Sequence, residues 1–469
     1  MANHVRKYLQ VNAKKYDVVI IGAGIAGIAA CHALMRAGAG KVALVERDSP
    51  LSLTSDKSTE CYRNFWPGPD DAMALLVNQS IDRLQQLTEK SGNQFQLHQR
   101  GYVFATARQQ ELEVLNKQAL ENEHYGGGQL RIHTQASGGS SSYRASPSDG
   151  FDTTLDGADI VTDRGLLKQH FPYLTEDTIG VLHMRRCGVL SAQQLGMYLL
   201  EESRVLGADY ITGDYISSQT SGGRVSSVDI KTVEGLIELQ TDALVLASGP
   251  HLKSTASLAG TQLPVLVEKH VKISLADKLG VIPRDAPLTI WNDPTDLSWT
   301  AEEQQILADS AETRHLTETF PAGVHGRPVG AGDQVFLYWT YDCEVMDEPL
   351  FPIVPDPYYP EILLRGMARM VPGLAAYFDP MPRPYVDGGY YTKVADNRPL
   401  IGPLGVPGSY VCGAYSGYGI MASYAGGELL AAHVMGDSLP RYAGAFVPDR
   451  FSDAEYLERI VGLSASGQV

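Results

Sequence analysis

Three glycines in "IIGAGIAG", Gly22, Gly24 and Gly27, sit where an apolar run gives way to a run of helix formers. At such a junction the first glycine permits a tight turn and the second lets the backbone approach a pyrophosphate. The third lets helix and strand pack closely. The run before them, "YDVVII", reads as a parallel strand buried on both faces. Ile25 to about Ala37 reads as a helix, and "KVALVE" as the next strand. Glu46 closes that strand, where a carboxylate can accept hydrogen bonds from ribose hydroxyls. The chemistry this order of elements can do is to hold a dinucleotide. A second glycine cluster, "AYSGYGIM", places Gly417 and Gly419 just ahead of a helix starting near Ile420. A helix N-terminus offers free N–H groups and partial positive charge, so it can stabilise an anion.

The elements that must position these clusters are spread over a long chain. Its 469 residues have room for two or three domains with substantial cores, and 44% hydrophobic with 20% charged residues is ordinary for a globular protein. A formal charge of −16 argues against nucleic acid or an anionic membrane as the main partner. The five cysteines (Cys31, Cys61, Cys187, Cys343, Cys412) have no metal-ligand or CxxC spacing, so no metal site is expected and a reducing compartment is. The basic start "MANHVRKYLQVNAKK" lacks the apolar core of a secretory signal. Val18 to Met35 carries no Asp, Glu, Lys or Arg, but its glycines, His32 and its continuation into a second strand argue against a membrane span. A cytoplasmic location is the expectation.

Residues 72–91 read as a helix, and residues 126–150, rich in Gly and Ser, as an exposed mobile excursion. A strand meander from Gly207 ends in the buried "DALVLASGP". From 263 to 394 short β-rich runs alternate with Pro/Gly turns, which reads as a second domain on an antiparallel sheet.

One dinucleotide is implied, since the best second fingerprint, "VGAGDQV", lacks a third glycine. The first helix also lacks the CxxxxC of a disulfide reductase, so the substrate itself is expected to supply the electrons. Reduced flavin carries negative charge along its N1/C2=O edge, and the helix start at Ile420 would stabilise it, which favours FAD over NAD.

"YTKVADNRPLIGP" followed by "GSYVCGAYSGYGIMASYAGGELLA" resembles the C-terminal signature of the FAD-dependent D-amino-acid oxidase superfamily, in particular its sarcosine oxidase and amino-acid dehydrogenase branch. "YDVVIIGAGIAGIAACHALMRAGAGKVALVERD", "GYVFATA", "HFPYL" and "DALVLASGP" extend the resemblance over most of the chain, the Gly/Ser excursion being the clearest departure. It implies an α/β fold: a Rossmann-type, glutathione-reductase-like FAD domain (14–95, 186–250 and 385–455) and an α+β substrate domain (96–185 and 251–384). Residues 456–469 are left as a tail. It also implies a resident FAD whose ADP half rests on Gly22, Gly24, Ile25, Ala26, Gly27 and Glu46, with Arg47 alongside. Ile216 would meet the adenine through its backbone, Ala247, Ser248 and Gly249 would follow the ribityl chain, and Ser58 and Thr59 would form a flavin-contacting turn. Gly417, Tyr418, Gly419, Ile420 and Met421 would bracket the pyrimidine edge. The position similar to the branch's cysteine attachment site is Gly389 or Tyr390, so the FAD is expected to be noncovalent.

Members of that superfamily oxidise the carbon next to an amine nitrogen and pass a hydride to the flavin. The implied substrate is a small amine or amino acid, with O2 or another electron acceptor completing turnover. Arginine is the physical choice for clamping a carboxylate, and Arg63 in "STECYRNFW" matches the substrate-binding arginine of sarcosine oxidases. Met421 and Val335 stand where those enzymes carry two lysines, one for the carboxylate and one for oxygen activation. Substrate and acceptor therefore stay open. Tyr338, Trp339, Tyr390, Tyr391, Tyr415 and Tyr418 fall in segments expected to face the flavin; of these Tyr338, Trp339 and Tyr418 are the candidates for an aromatic box. His251, His270 and His325 have no partner pattern and read as structural or solvent-facing, and Arg398 as a loop brace. Oxidation of a 2-hydroxy acid or polyol remains an alternative, and so does a flavin-binding subunit without turnover. Oligomeric state is also open, a homo-oligomer included.

Overall fold

The computed structural model describes residues 14–134 and 143–460. Its first sheet, of eight strands, is built outward from the fingerprint strand. Lys14–Ile21 lies between Val42–Glu46 and Gly235–Leu246 and runs parallel to both. Four consecutive residues at its end, Val18 to Ile21, are buried, as the unbroken apolar run demands. Ser409–Gly413 adds a further parallel strand beside Gly235–Leu246. The meander Asp214–Ser221, Arg224–Thr232 and Gly235–Leu246 is antiparallel and covers one flank.

Helices Ile25–Arg36, Ala72–Ser91, Ala192–Val205 and Gly419–Met435 pack on one face of this sheet and share its largest core. Ile25–Arg36 buries nine of its twelve residues, which explains why its one charged residue is the exposed Arg36 at its end. It crosses Gly419–Met435 at close range: a Cβ on Gly427 would lie 2.6 Å from the Ala29 carbonyl oxygen. The early and late glycine clusters are thereby brought to one end of the sheet.

The second sheet has ten strands. Leu266–Ala276 pairs antiparallel with Gln334–Tyr338 on one side and with Tyr385–Lys393 on the other. The sheet is mixed rather than purely antiparallel, because Leu288–Trp291 runs parallel to Tyr102–Thr106 and Leu130–His133 parallel to Ala158–Val161. The pairing of Tyr385–Lys393 over nine residues puts that strand in the second sheet, although 385 had been the expected return to the cofactor domain. The Gly/Ser excursion also differs from expectation. Its part at Leu130–His133 is an edge strand, and Tyr143 packs on His133, His170 and His183; residues 135–142 lie outside those described. Of the expected tail, 456–460 belongs to the helix Ala454–Ile460 and 461–469 lies outside the described residues.

No helix among the described residues is long and apolar enough to cross a membrane. The buried pair Arg450–Asp396, 2.7 Å apart, ties the C-terminal segment to the loop before Leu400–Pro403.

Candidate active site

A long cavity with about 1280 Å³ of empty space, its open mouth included, runs along the C-terminal edge of the first sheet. That is where open α/β sheets bind ligands. Gly22 forms its floor with a φ of +103°, and a Cβ there would meet the Ala247 carbonyl at 2.6 Å, so no other residue fits without moving backbone. Gly24 has only the Ser55 hydroxyl within 4 Å of a Cβ, and it borders the cavity. Gly27 faces away: its Cβ would sit 1.9 Å from the Gly22 oxygen, so this glycine serves the helix–strand contact. Glu46 closes the loop from behind by accepting from Ala23 N at 2.7 Å and Asp48 N at 3.0 Å.

Whether FAD suits these residues can be read from polar groups left open. The N-cap residues of Ile25–Arg36 and Gly419–Met435 make no side-chain cap bond, although the Ser55 hydroxyl accepts from Ile25 N at 3.0 Å. Both helix starts border the cavity through Ile25, Ala26, Gly419 and Ile420. Two electropositive helix ends in one cavity suit a ligand with two anionic regions, as a pyrophosphate and a flavin edge are. Ala414 and Ser416, between them on the wall, hold φ values of 54° and 51°, strain that clusters at ligand sites.

Of the residues expected at the cofactor, Arg47, Ser58, Ala247, Ser248, Gly249 and Gly417 also border this cavity. Ile216 does not; it is 37% exposed, and its neighbours Asp214 and Tyr215 line the wall instead. A register shift between Tyr215 and Ser217 leaves Ile216 unpaired and turns it outward. Met421 is buried in the helix-side core behind the wall. Thr59 borders a small adjoining chamber shared with Lys272, His270, Tyr338 and Tyr391. Tyr391 faces both spaces.

Trp339 is not part of either wall. It packs in the second sheet's core against Phe320 and Tyr341, donates to the Pro321 carbonyl, and covers Gly366. Successive residues of an extended chain point to opposite faces, so with Tyr338 at the chamber Trp339 must point away.

Tyr418 turns its ring off the cavity as well, edge-on to Trp66 at 4.7 Å. Against both rings lies Arg63, 4% exposed, its guanidinium carbon 5.2 Å from the centre of Trp66 and 5.9 Å from that of Tyr418. The strand Cys61–Arg63 holds it there by pairing with Cys187–Val189. Arg63 has no carboxylate partner among the described residues. Its Nε, Trp66 Nε1 and the Tyr418 hydroxyl are all buried without a hydrogen bond. A buried cation with an orphaned Nε, beside two further orphaned polar atoms, is costly unless something anionic joins it.

Two histidines that read as structural stand beside this group. His325 packs on Tyr338, and its Nδ1–H donates to the Gly323 carbonyl, leaving Nε2 as an acceptor. Burial, with the Arg63 charge adding to it, pulls its pKa down to about 4. His270 contacts Tyr338 and Tyr391. Lys272, 5% exposed, donates to the Lys57 carbonyl at 2.6 Å, and burial lowers its pKa. The signal for these was present in "VEKHVKIS": Glu268, His270 and Lys272 alternate along one face of a strand whose other face is largely apolar. Glu268, His270 and Cys343 offer atoms within 4.8 Å of one another. The Lys393 ammonium already contacts both Glu268 oxygens at 3.0 Å, supplying the positive charge a cation would bring. His251 borders the main cavity, and Arg398 is braced by Asp70 at 2.8 Å.

Solved structures with the same fold include L-proline dehydrogenase from P. horikoshii, at TM-score 0.70 and 17% identity, covering 94% of this chain and 98% of that one. Glycine oxidase from Bacillus cereus ATCC 14579 aligns at TM-score 0.67 and 17% identity over 92% and 98%. Iminodiacetate oxidase from Chelativorans sp. BNC1 aligns at 0.65 and 17% over 92% and 98%. No curated protein sequence matches the chain. Residues 17–433 match the sequence profile of the FAD dependent oxidoreductase (DAO) family, and with a cavity built for that cofactor the chain belongs to this family of FAD-dependent enzymes.

Proposed function

We propose that the protein oxidises an amino acid or a carboxylate-bearing amine at the carbon next to nitrogen, using noncovalently held FAD. The observation that carries this reading is Arg63: buried, without an ion-pair partner among the described residues, and surrounded by orphaned polar atoms. The fold neighbours named above for proline, glycine and iminodiacetate, all amino acids, support the same substrate class.

When bound, FAD would supply the acceptor for a hydride, the hydrogen of the C–H bond with its electron pair, leaving an imine that water hydrolyses. The chain's share is binding and orientation. Gly22, Gly24, Ile25 and Ala26 would hold the pyrophosphate, Glu46 the ribose, and the start of Gly419–Met435 the anionic edge of the ring system. Arg63 would take the substrate carboxylate in a bidentate, charge-assisted contact, with the Tyr418 hydroxyl and Trp66 Nε1 free to add hydrogen bonds. Neutral His325 adds no charge to compete for that carboxylate. The rings of Trp66, Tyr418 and Tyr338 exclude water, which strengthens the contact.

Anaerobic mixing of the FAD-loaded protein with L-proline, glycine, N-methyl amino acids and 2-hydroxy acids tests this. Loss of the oxidised-flavin absorbance with an amino acid is expected. Loss with hydroxy acids alone overturns the amine reading, and no loss with any compound leaves a flavin-binding subunit.

A further inference from the structure

The turn ahead of Arg63 is held in an unfavourable backbone conformation by groups the proposed chemistry does not use. Glu60 has a φ of 59°, a left-handed conformation that a residue with a Cβ keeps only when its surroundings fix it. All of its polar atoms are held. Its N–H donates to Ser58 Oγ at 2.9 Å, and its carbonyl accepts from Leu190 N at 3.0 Å. Its carboxylate accepts at 3.0 Å from Ala192 N, the first N–H of the helix Ala192–Val205, and at 3.3 Å from Arg327 Nη2.

Arg327 reaches this turn from the second sheet. It is 4% exposed on the strand His325–Pro328, its guanidinium over the ring of Phe336, its register partner in Gln334–Tyr338. Its Nε and Nη2 both donate to the Thr59 carbonyl, at 2.9 and 2.7 Å, and its Nη1 donates to the Pro328 carbonyl at 3.0 Å. A planar fork closing on one oxygen fixes it in direction as well as in distance, which a lysine cannot do. Thr59 and Glu60 are therefore pinned from two sides, by a helix on the first sheet and by a strand of the second.

What depends on the turn lies on either side of it. Ser58 borders the FAD cavity, and Thr59 the adjoining chamber. Beyond the turn only Cys61 and Tyr62 separate Glu60 from Arg63, which ends the short strand Cys61–Arg63. A displaced turn would change the distance between the cofactor's wall and the carboxylate clamp.

We propose that Arg327, acting through Thr59 and Glu60, is a positioning residue that sets where Arg63 holds the substrate carboxylate relative to the flavin. This rests on Arg63 as the carboxylate clamp. Arg327 borders neither the FAD cavity nor the chamber, so it acts only through the turn. Loss of its grip leaves the carboxylate bound but the reacting carbon out of line, and misplacement by about 1 Å costs about 100-fold in rate.

The test compares FAD-loaded wild type, Arg327→Lys, Glu60→Gln and Arg63→Met in anaerobic flavin reduction by an amino acid that bleaches the wild type. Varying its concentration separates the dissociation constant from the limiting rate, taken per bound FAD. Arg327→Lys should lower the limiting rate about 10- to 100-fold and leave the dissociation constant within about threefold of wild type. Arg63→Met should raise the dissociation constant instead. Both Glu60 oxygens accept, so the amide nitrogen of a glutamine must face a donor. Glu60→Gln should therefore lower the limiting rate about 10-fold, and it carries the test if Arg327→Lys purifies without FAD. Limiting rates per FAD within about threefold of wild type in both variants, with only a lower Tm, mean a structural role and overturn the proposal. So does a dissociation constant raised as far as in Arg63→Met, which would make Arg327 part of the clamp.

A second readout needs no turnover. With the flavin already reduced by dithionite, calorimetric titration of the same amino acid should give similar affinities for wild type and Arg327→Lys. Arg63→Met should bind it much more weakly, and an equal weakening in Arg327→Lys overturns the proposal. If Arg63→Met loses as much on an amine without a carboxylate, the clamp reading falls and takes the positioning role with it. If the clamp reading stands and both turn variants keep the wild-type limiting rate, only the positioning role falls. If hydroxy acids alone bleach the flavin, the amine reading falls, and the same two quantities measured with a hydroxy acid decide the role of Arg327.

Discussion

Two buried arginines in this chain should respond in opposite ways to the same substitution. Arg63 and Arg450 are 4% and 7% exposed. Arg450 forms a 2.7 Å ion pair with Asp396 and also bonds the Val447 and Arg398 carbonyls. Arg63 has no such partner, only its two aromatic rings. Replacing Arg450 by Met strands a buried carboxylate, which costs about 3–5 kcal/mol and should lower Tm sharply. Replacing Arg63 by Met keeps most of the packing and loses cation–π contacts worth roughly 0.5–2 kcal/mol each. It also removes the desolvation penalty of an unpaired buried charge, several kcal/mol in the other direction. Without substrate, Arg63→Met should therefore melt at or above the wild-type temperature.

The cost should appear on substrate instead. A buried charge-assisted contact to a carboxylate is worth about 2–5 kcal/mol when one side is removed. At 1.4 kcal/mol per decade that is roughly 30- to 4,000-fold in kcat/KM. The assay is anaerobic flavin reduction by an amino acid and by the same amine without its carboxylate, proline against pyrrolidine for instance. The variant should lose this factor on the acid and little on the amine, and Arg63→Lys should recover only part of it, lacking the planar fork. Equal losses on both compounds would refute the carboxylate clamp. So would a fall in Tm like that of Arg450→Met, which would make Arg63 a structural residue.

Three further outcomes follow from the geometry. Gly27→Ala puts a methyl 1.9 Å from a backbone oxygen, so the first helix must shift; that costs at least the ~1–3 kcal/mol of ordinary overpacking, and the protein should purify with lower Tm and little flavin, read from its visible spectrum. His32 and His325 are both held near pKa 4, burial being the main cause. The unfolded chain takes up protons on these groups from about pH 6.5 downward while the folded chain does not, so stability should fall from there and level off near 4. Melting curves across that range should flatten in a His32→Gln, His325→Asn double variant. Below that window Glu268, with its pKa near 2, adds a separate loss as pH falls from about 4.3 toward 2, which Glu268→Gln should remove.

What the sequence shows of this site depends on how local the physics is. The first fingerprint was legible because Gly27 answers to a contact formed within one strand–turn–helix unit, the Gly22 backbone oxygen 1.9 Å from where a methyl would be, and Gly22 to its own positive φ. Trp339 was misplaced for a reason of parity: in an extended strand a shift of one residue reverses the face. Arg63 could be recognised by type and neighbours, but its lack of a partner is a property of the whole assembly and of no segment. The histidines were passed over because partners were sought along the chain, whereas His270 meets Tyr338 and Tyr391 across two strand pairings. The same alternation that misdirected Trp339 would have found them, since three polar residues at every second position in a strand require a polar space in front of them. In this chain that space is the small chamber that Thr59, His270, Lys272, Tyr338 and Tyr391 line beside the FAD cavity.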